Sequence, residues 1–343
     1  MRIVVDAMGG DLAPNAPVHG AILYDRETEG KNQVILVGDK TAIESEIERH
    51  YMPPANIKVV HASEVIEMGE QPATAVRRKK DSSIVKGIRM IRDGEADAFV
   101  SAGSTGAQMA ASLLILGRIK GVNRPALGAF IPWEGGVMLL IDVGANAECK
   151  PMNLLQFGLM GGVFMEFITT VEKARVGLLN IGEEKTKGND LTIATHAMME
   201  KHLPNFVGNV EGRDVLNGKA DVVVTDGFTG NIILKFAEGF VGVFGRNLKR
   251  RIKQNLFSIT GAFLIRPAFR DMKRTYDYEE YGGVPLLGID GISIICHGSS
   301  TGKALKNAIY VAQVMGEKNV NKHIEEELTS RGLTWKEGQL LQA

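Results

Sequence analysis

Cysteine is scarce in this chain. Only Cys149 and Cys296 occur in 343 residues. That is too few for a disulfide framework and suits a reducing, cytoplasmic setting. An excess of one charge is also missing: 40 Lys and Arg balance 40 Asp and Glu. A chain with no basic surplus lacks the footprint of a nucleic-acid binder, so no nucleic-acid partner is expected. No apolar run approaches the roughly 18 residues that would suggest a membrane span. The opening MRIVVDAMGGD passes from a strand-like run into a Gly-rich turn. It has no charged leader followed by a long apolar stretch, so no signal peptide is expected. The pattern G-x-x-x-x-G-K-[ST] is absent, which excludes a conventional P-loop; residues 298–303 come near it, but with the wrong spacing and Ala304 after the lysine. G-x-G-x-x-G is absent too, which weakens a dinucleotide reading. His61 and His297 sit at strand ends without further ligands at usable spacing, so no metal and no cofactor are expected.

What is abundant is glycine, 40 residues, placed at the ends of apolar runs. One unit recurs: a short β-rich run, a small polar loop, then a helical pattern. Ile3-Val4-Val5 leads into Asp6 and Gly9-Gly10. Val34 to Val37, Ile57 to Val60 and Val137 to Ile141 behave alike. Ala98-Phe99-Val100 leads into Ser101 and Gly103-Ser104-Thr105-Gly106. Val176 to Leu179 leads into Asn180, Val222 to Val224 into Asp226, and Ile292 to Ile295 into His297-Gly298-Ser299. Runs apolar on both faces are buried parallel strands, and their alternation with helices implies crossover units. The expected fold is an α/β three-layer sandwich with a mostly parallel sheet. In such sheets ligands bind beyond the carboxyl ends of the strands, so several of these loops are expected to meet in one crevice. Residues 1–325 are read as one domain carrying a projecting helical hairpin at about 240–275, and residues 326–343 as a peripheral tail.

The loops suit anionic ligands. Glycines allow backbone N–H groups to approach an anion, and a helix N-terminus adds a favourable dipole. Residues 142–146, 103–106 and 298–300 all have this character. Each could instead be a plain strand-to-helix turn, but five such loops in one chain favour a ligand. Lys185, Lys187 and Asn189 follow another strand; a lysine there could hold phosphate or an oxyanion, or belong to a solvated loop. Residues 298–302 match G-x-S-x-G, yet after Ser300 there is no Asp and His323 is the sole histidine. A nucleophile elbow needs an acid and then a histidine later in the chain, so a serine hydrolase is disfavoured. Cys149 could be an acyl-accepting thiolate or a small packed hydrophobe.

The stretch VVVTDGFTGN, residues 222–231, raises the sharpest question. A tight turn could use Asp226-Gly227 alone; it would not need Thr229-Gly230-Asn231 as well. Together with Val5-Asp6-Ala7-Met8-Gly9-Gly10-Asp11, residues 101–107, residues 142–146 and His297-Gly298-Ser299-Ser300, this stretch resembles the bacterial acyl-ACP:phosphate acyltransferases of phospholipid synthesis, in order over about residues 1–315.

That resemblance implies a fold similar to the isocitrate/isopropylmalate dehydrogenases and phosphotransacetylases. It implies transfer of a long-chain acyl group from acyl carrier protein (ACP) to inorganic phosphate. The acyl-phosphate would feed a membrane glycerol-3-phosphate acyltransferase, and the protein would be a cytoplasmic homodimer that associates peripherally with membrane. Phosphate is itself a nucleophile, so the site needs only to hold it against the thioester and to stabilise the oxyanion. In this reading Gly227 and Gly230 let the backbone approach ligand, and Asp226 and Asn231 orient it. Lys187 stabilises phosphate or oxyanion beside Asn189, and His297 is either a proton-transfer group or a structural histidine. The expected substrate-binding set is completed by Asp6, Gly9, Gly10, Gly103, Ser104, Thr105, Gly106, Asp142, Asn146, Asn180, Gly298 and Ser299. From Arg246 to Arg274 nine basic residues stand against Asp271 alone, interleaved with Leu256, Phe257, Ile259, Phe263, Leu264, Ile265 and Phe269. Such a segment suits an anionic membrane, acidic ACP or a dimer contact. Arg77-Arg78-Lys79-Lys80 is a second, weaker candidate for ACP.

Overall fold

The computed structural model describes residues 1–50, 54–133, 135–275 and 278–335, with the side chains of 272–275 and 278 left out. Among the described residues eleven strands form one sheet. They are β1 (Arg2–Asp6), β2 (Gln33–Gly38), β3 (Ile57–His61), β4 (Ala98–Ser101), β5 (Ala126–Trp133), β6 (Gly136–Ile141), β7 (Val176–Asn180), β8 (Phe206–Glu211), β9 (Val222–Val224), β10 (Val284–Leu287) and β11 (Ser293–Ile295). Their order is β3-β2-β1-β4-β11-β10-β5-β6-β9-β7-β8.

Most neighbours are parallel, as the double-sided apolar runs predict. Ile3, Val4 and Val5 of β1 and Val222, Val223 and Val224 of β9 have no exposed surface, because helices cover both faces. Three contacts are antiparallel: β11 with β10, β10 with β5, and β5 with β6. Three reversals leave two parallel blocks of opposite direction. The block β3-β2-β1-β4-β11 has its carboxyl ends at one edge of the sheet; the block β6-β9-β7-β8 has them at the other.

The helix Gly227–Ile252 leaves the sheet almost at once: Gly227 and Gly230 are its buried residues. Helices Leu256–Leu264 and Arg266–Thr275 return from it. This is the projecting helical segment; it begins at the strand end rather than at about 240. Phe236, Phe240 and Phe244 stack along its exposed side with ring centroids 6.3 and 6.0 Å apart. No helix among the described residues is long and apolar enough to cross a membrane.

The expected tail boundary at 325 falls inside a helix, Val320–Ser330. Leu328 and Leu333 are buried in the main core, and Trp335 N donates to Gly121 O at 2.7 Å. The chain therefore stays packed to that point, and residues 336–343 lie outside the described residues.

Candidate functional site

The loops at the strand ends fall into three groups, two on one edge and one on the other. The first joins the ends of β6 and β9. Asp142, fully buried, accepts from Leu127 N, Gly144 N, Ala145 N, Asn146 N and Asn146 Nδ2 at 2.8–3.2 Å. Burial raises its carboxyl above the ordinary range even though these donors favour the anion. The consequence corrects an expectation. The N–H groups of residues 144–146 do not await an external anion; Asp142 already occupies them.

Asp226 caps the long helix, accepting from Thr229 N at 2.9 Å and Thr229 Oγ1 at 2.8 Å. Gly227 N donates to Asn146 O at 2.8 Å. A Cβ on Gly227 would lie 2.7 Å from Asn146 O, and one on Gly230 would lie 1.9 Å from Asp142 O. These glycines serve a close approach, as expected, but the approaching group is the chain's own backbone rather than ligand. The second glycine and the cap explain why this turn needs more than Asp-Gly. Asn231 is exposed one residue on, its side chain facing Gly144.

The second group follows β7, whose sheet neighbour is β9. Adjacent strands lie about 4.8 Å apart, so these two groups share one rim. Asn180 shapes the loop: Oδ1 accepts from Ile181 N and Nδ2 donates to Lys187 O. Asn189 caps the helix Asp190–His202 through Thr192 N. Lys185 is ion-paired with Glu200. Lys187 is exposed, and its ammonium has no hydrogen bond or ion pair among the described residues. Of the two lysines, Lys187 is the one available to a ligand.

The third group lies on the other edge, at the ends of β1, β4 and β11. Buried Asp6 accepts from Ser101 Oγ at 2.7 Å and Met8 N at 3.0 Å, and Ser101 Oγ accepts from Gly103 N at 2.9 Å. Burial raises this carboxyl too. Gly9 and Gly10 let the turn pack against residues 102–103 and Gly298 O. Ser104 caps the helix Thr105–Ala111, where Thr105 and Gly106 form its first turn. His297 is exposed; its Nδ1 meets Ser299 Oγ at 2.8 Å and accepts from Ser299 N at 3.2 Å. His297 and Asp226 were both expected at the catalytic centre; the strands they follow, β11 and β9, run in opposite directions.

Two other readings meet the structure directly. Cys149 is half-buried, and burial pushes its thiol up to about 12. It is not a thiolate near neutral pH. Ser300 is buried, while His323 stacks on Phe167 at 4.6 Å in a separate cavity of about 190 Å³ between helices Pro151–Ile168 and Val320–Ser330. That cavity contains no residue of the three groups.

A cavity of about 220 Å³ does adjoin the first group. Met109, Leu113, Pro125 and Ala145 form apolar parts of its wall, with Asn146, Asn123, Arg118 and Arg124 the polar parts. Sequence reasoning missed the two arginines. They lie 24 and 18 residues before Asp142, with no motif linking them to it, and the two stretches are joined by the pairing of β5 with β6 and the hydrogen bonds around it.

The fold is that of the phosphotransacetylases. Structures of this class from Staphylococcus aureus and Streptococcus pyogenes superpose with TM-scores of 0.60, each covering 92% of this chain and 94% of the other, at 16% and 14% identity. At that identity the likeness is one of fold. Closer kinship comes from sequence: the chain belongs to the fatty acid synthesis protein family, which it matches over residues 1–323. Its relatives include the phosphate acyltransferase of Pelotomaculum thermopropionicum, 49% identical over 100% of this chain and 99% of that one. That of Heliobacterium modesticaldum is 50% identical over 96% and 98%.

Proposed function

We propose that the protein transfers a long-chain acyl group from acyl-ACP to inorganic phosphate, releasing acyl-phosphate and free ACP for phospholipid synthesis. The observation carrying this reading is end-to-end identity near one half to phosphate acyltransferases. A phosphate oxygen attacks the thioester carbonyl carbon, the C–S bond breaks, and ACP leaves as its thiolate. No enzyme-bound acyl group is required, in keeping with the protonated Cys149.

The rim shared by the first two groups is the proposed place of transfer. Lys187 supplies the mobile cation for phosphate or oxyanion. Asn231 orients the bound groups, and Asp226 holds the helix start that carries Asn231. Asp142, Asn146, Asn180 and Asn189 build the loops. His297 and Ser299, which follow a strand of the opposite direction, are given no part in this step. The exposed phenylalanine ladder is the proposed contact of a homodimer. Exposed Phe257, Phe263 and Leu264, with the basic residues around them, form the proposed peripheral membrane contact, where product would pass to the membrane glycerol-3-phosphate acyltransferase. Loss of liposome binding on Leu264→Glu with the dimer intact supports that contact; unchanged binding rejects it.

Palmitoyl-ACP and phosphate, with hydroxylamine trapping, test the reaction. Phosphate-dependent hydroxamate from the ACP substrate is the expected result. A second reading, a phosphotransacetylase using CoA, is favoured by the fold likeness alone; product from acyl-CoA and none from acyl-ACP would establish it instead.

A further inference from the structure

We propose that Arg124 holds a phosphoryl oxyanion in the cavity beside residues 145–146. The assignment deepens the transfer reading and rests on it for the source of the anion: the acceptor phosphate or the phosphodiester of the donor's pantetheine arm.

The first observation is negative. The Gly-rich loop at 142–146 looks like an anion cradle, but its backbone donors are taken by Asp142. An anion bound against this loop needs its positive partner from elsewhere. Arg124 lines the cavity that the loop closes. Arg124 is exposed, and its guanidinium makes no hydrogen bond or ion pair among the described residues.

The second observation is the care with which its backbone is held. Fully buried Gln156 accepts from Asn123 N at 2.8 Å. Its amide also donates to Gly121 O and Leu333 O, at 2.9 and 2.8 Å. Buried Asn153 donates to Asn123 Oδ1 at 2.7 Å. Buried Asn146 donates to Pro125 O at 2.7 Å. Arg118 donates to Asn123 O. Buried amides are costly unless bonded, and here three of them converge on residues 123–125. Pro125 also restricts the backbone of the residue before it. A solvent-facing cation with no ligand would need none of this support. A cation that must meet an oxyanion in a fixed position needs it, because a displacement of about 1 Å is expensive in catalysis.

The shape agrees. Ligand pockets for whole drug-sized molecules are about 300–1,000 Å³, so 220 Å³ suits a phosphoryl group or a fragment of a larger substrate. The planar fork of arginine matches phosphate oxygens. Met109 and Leu113 give the cavity an apolar flank.

Arg124→Gln and Arg124→Lys, shown to be folded by circular dichroism, provide the test. Turnover is measured against phosphate at fixed palmitoyl-ACP and against palmitoyl-ACP at fixed phosphate. Calorimetry measures binding of phosphate alone. Arg124→Gln is expected to raise one KM at least tenfold, with partial rescue by free guanidinium and an intermediate effect for Arg124→Lys. A rise in the phosphate KM assigns the acceptor; a rise confined to the donor KM assigns the pantetheine phosphodiester. Both KM values and kcat within twofold of the parent overturn the proposal. Absence of turnover in the parent protein would sink the transfer reading, and calorimetry would then decide separately. Phosphate binding lost in Arg124→Gln retains the anion site, while equal binding in both, or none in the parent, rejects it.

Discussion

Gly230→Ala places a methyl group 1.9 Å from the carbonyl oxygen of Asp142. The obstacle is backbone, fixed by the pairing of β6 with β9, so it cannot swing aside like a side-chain tip. Overpacking of this kind costs about 1–3 kcal/mol. Alanine also has an intrinsic advantage over glycine of about 1 kcal/mol inside a helix, which works in the opposite direction. Gly239 isolates the two effects: it lies in the same helix, and a Cβ there meets nothing within 4 Å. Gly239→Ala should therefore stabilise by up to about 1 kcal/mol and Gly230→Ala should lose that gain to the clash, a separation of roughly 1–3 kcal/mol because the helix preference is common to both. For 343 residues, an unfolding entropy of about 2.1 cal/mol/K per residue gives roughly 0.7 kcal/mol/K, so the midpoints should differ by about 1–4 °C. Thermal unfolding by circular dichroism at one protein concentration reads the difference directly. Equal midpoints for the two variants would refute the reasoning, because they would show that the helix start is not pressed on the Asp142 loop.

Cys149→Ser should keep kcat within twofold, and iodoacetamide should leave activity intact near pH 7, since burial holds the thiol protonated; a large loss with a trapped acyl-enzyme would contradict this. Lys187→Ala should lower turnover by about 10²–10³, the usual cost of losing one oxyanion donor, while Lys185→Ala should change it little because Lys185 is paired with Glu200. Equal effects would remove the distinction between them. Hydrogen bonds from Lys86, then Ser63, hold the Asp81 carboxyl well below its ordinary 3.8. A depressed folded-state pKa stabilises above the unfolded value and the contribution disappears as pH falls through the folded one. Asp81→Asn should thus cost up to about 1 kcal/mol at pH 7 in urea unfolding, as a largely exposed pair does, and the gap to the parent should close below pH 3.8. A gap that widens on acidification would reverse the sign.

Eight apolar runs could be read as strands from composition alone, and each is a strand in the sheet. β5, β8 and β10 escaped notice for a common reason. ALGAFIPW, FVGNVE and VPLL carry Gly, Ala, Pro or Asn, residues that strands disfavour. The omission mattered because β5 and β10 make all three antiparallel contacts. Without them every strand would point the same way, and every loop would open on one crevice. With them the sheet divides into opposed blocks, with His297 and Asp226 at the ends of opposed strands. Local chemistry was legible in the same partial way. Asp142, Asp6 and the neighbouring glycines do mark the loops that matter, but whether a carboxylate accepts from its own turn or faces a ligand depends on atoms two to four residues away folding back on it. The five donors around Asp142 resolve that choice, and by using up the loop's N–H groups they transfer the search for a ligand's cation to residues that no motif marks. Arg124 becomes visible only then, because the strand that follows it is one of those the sequence concealed.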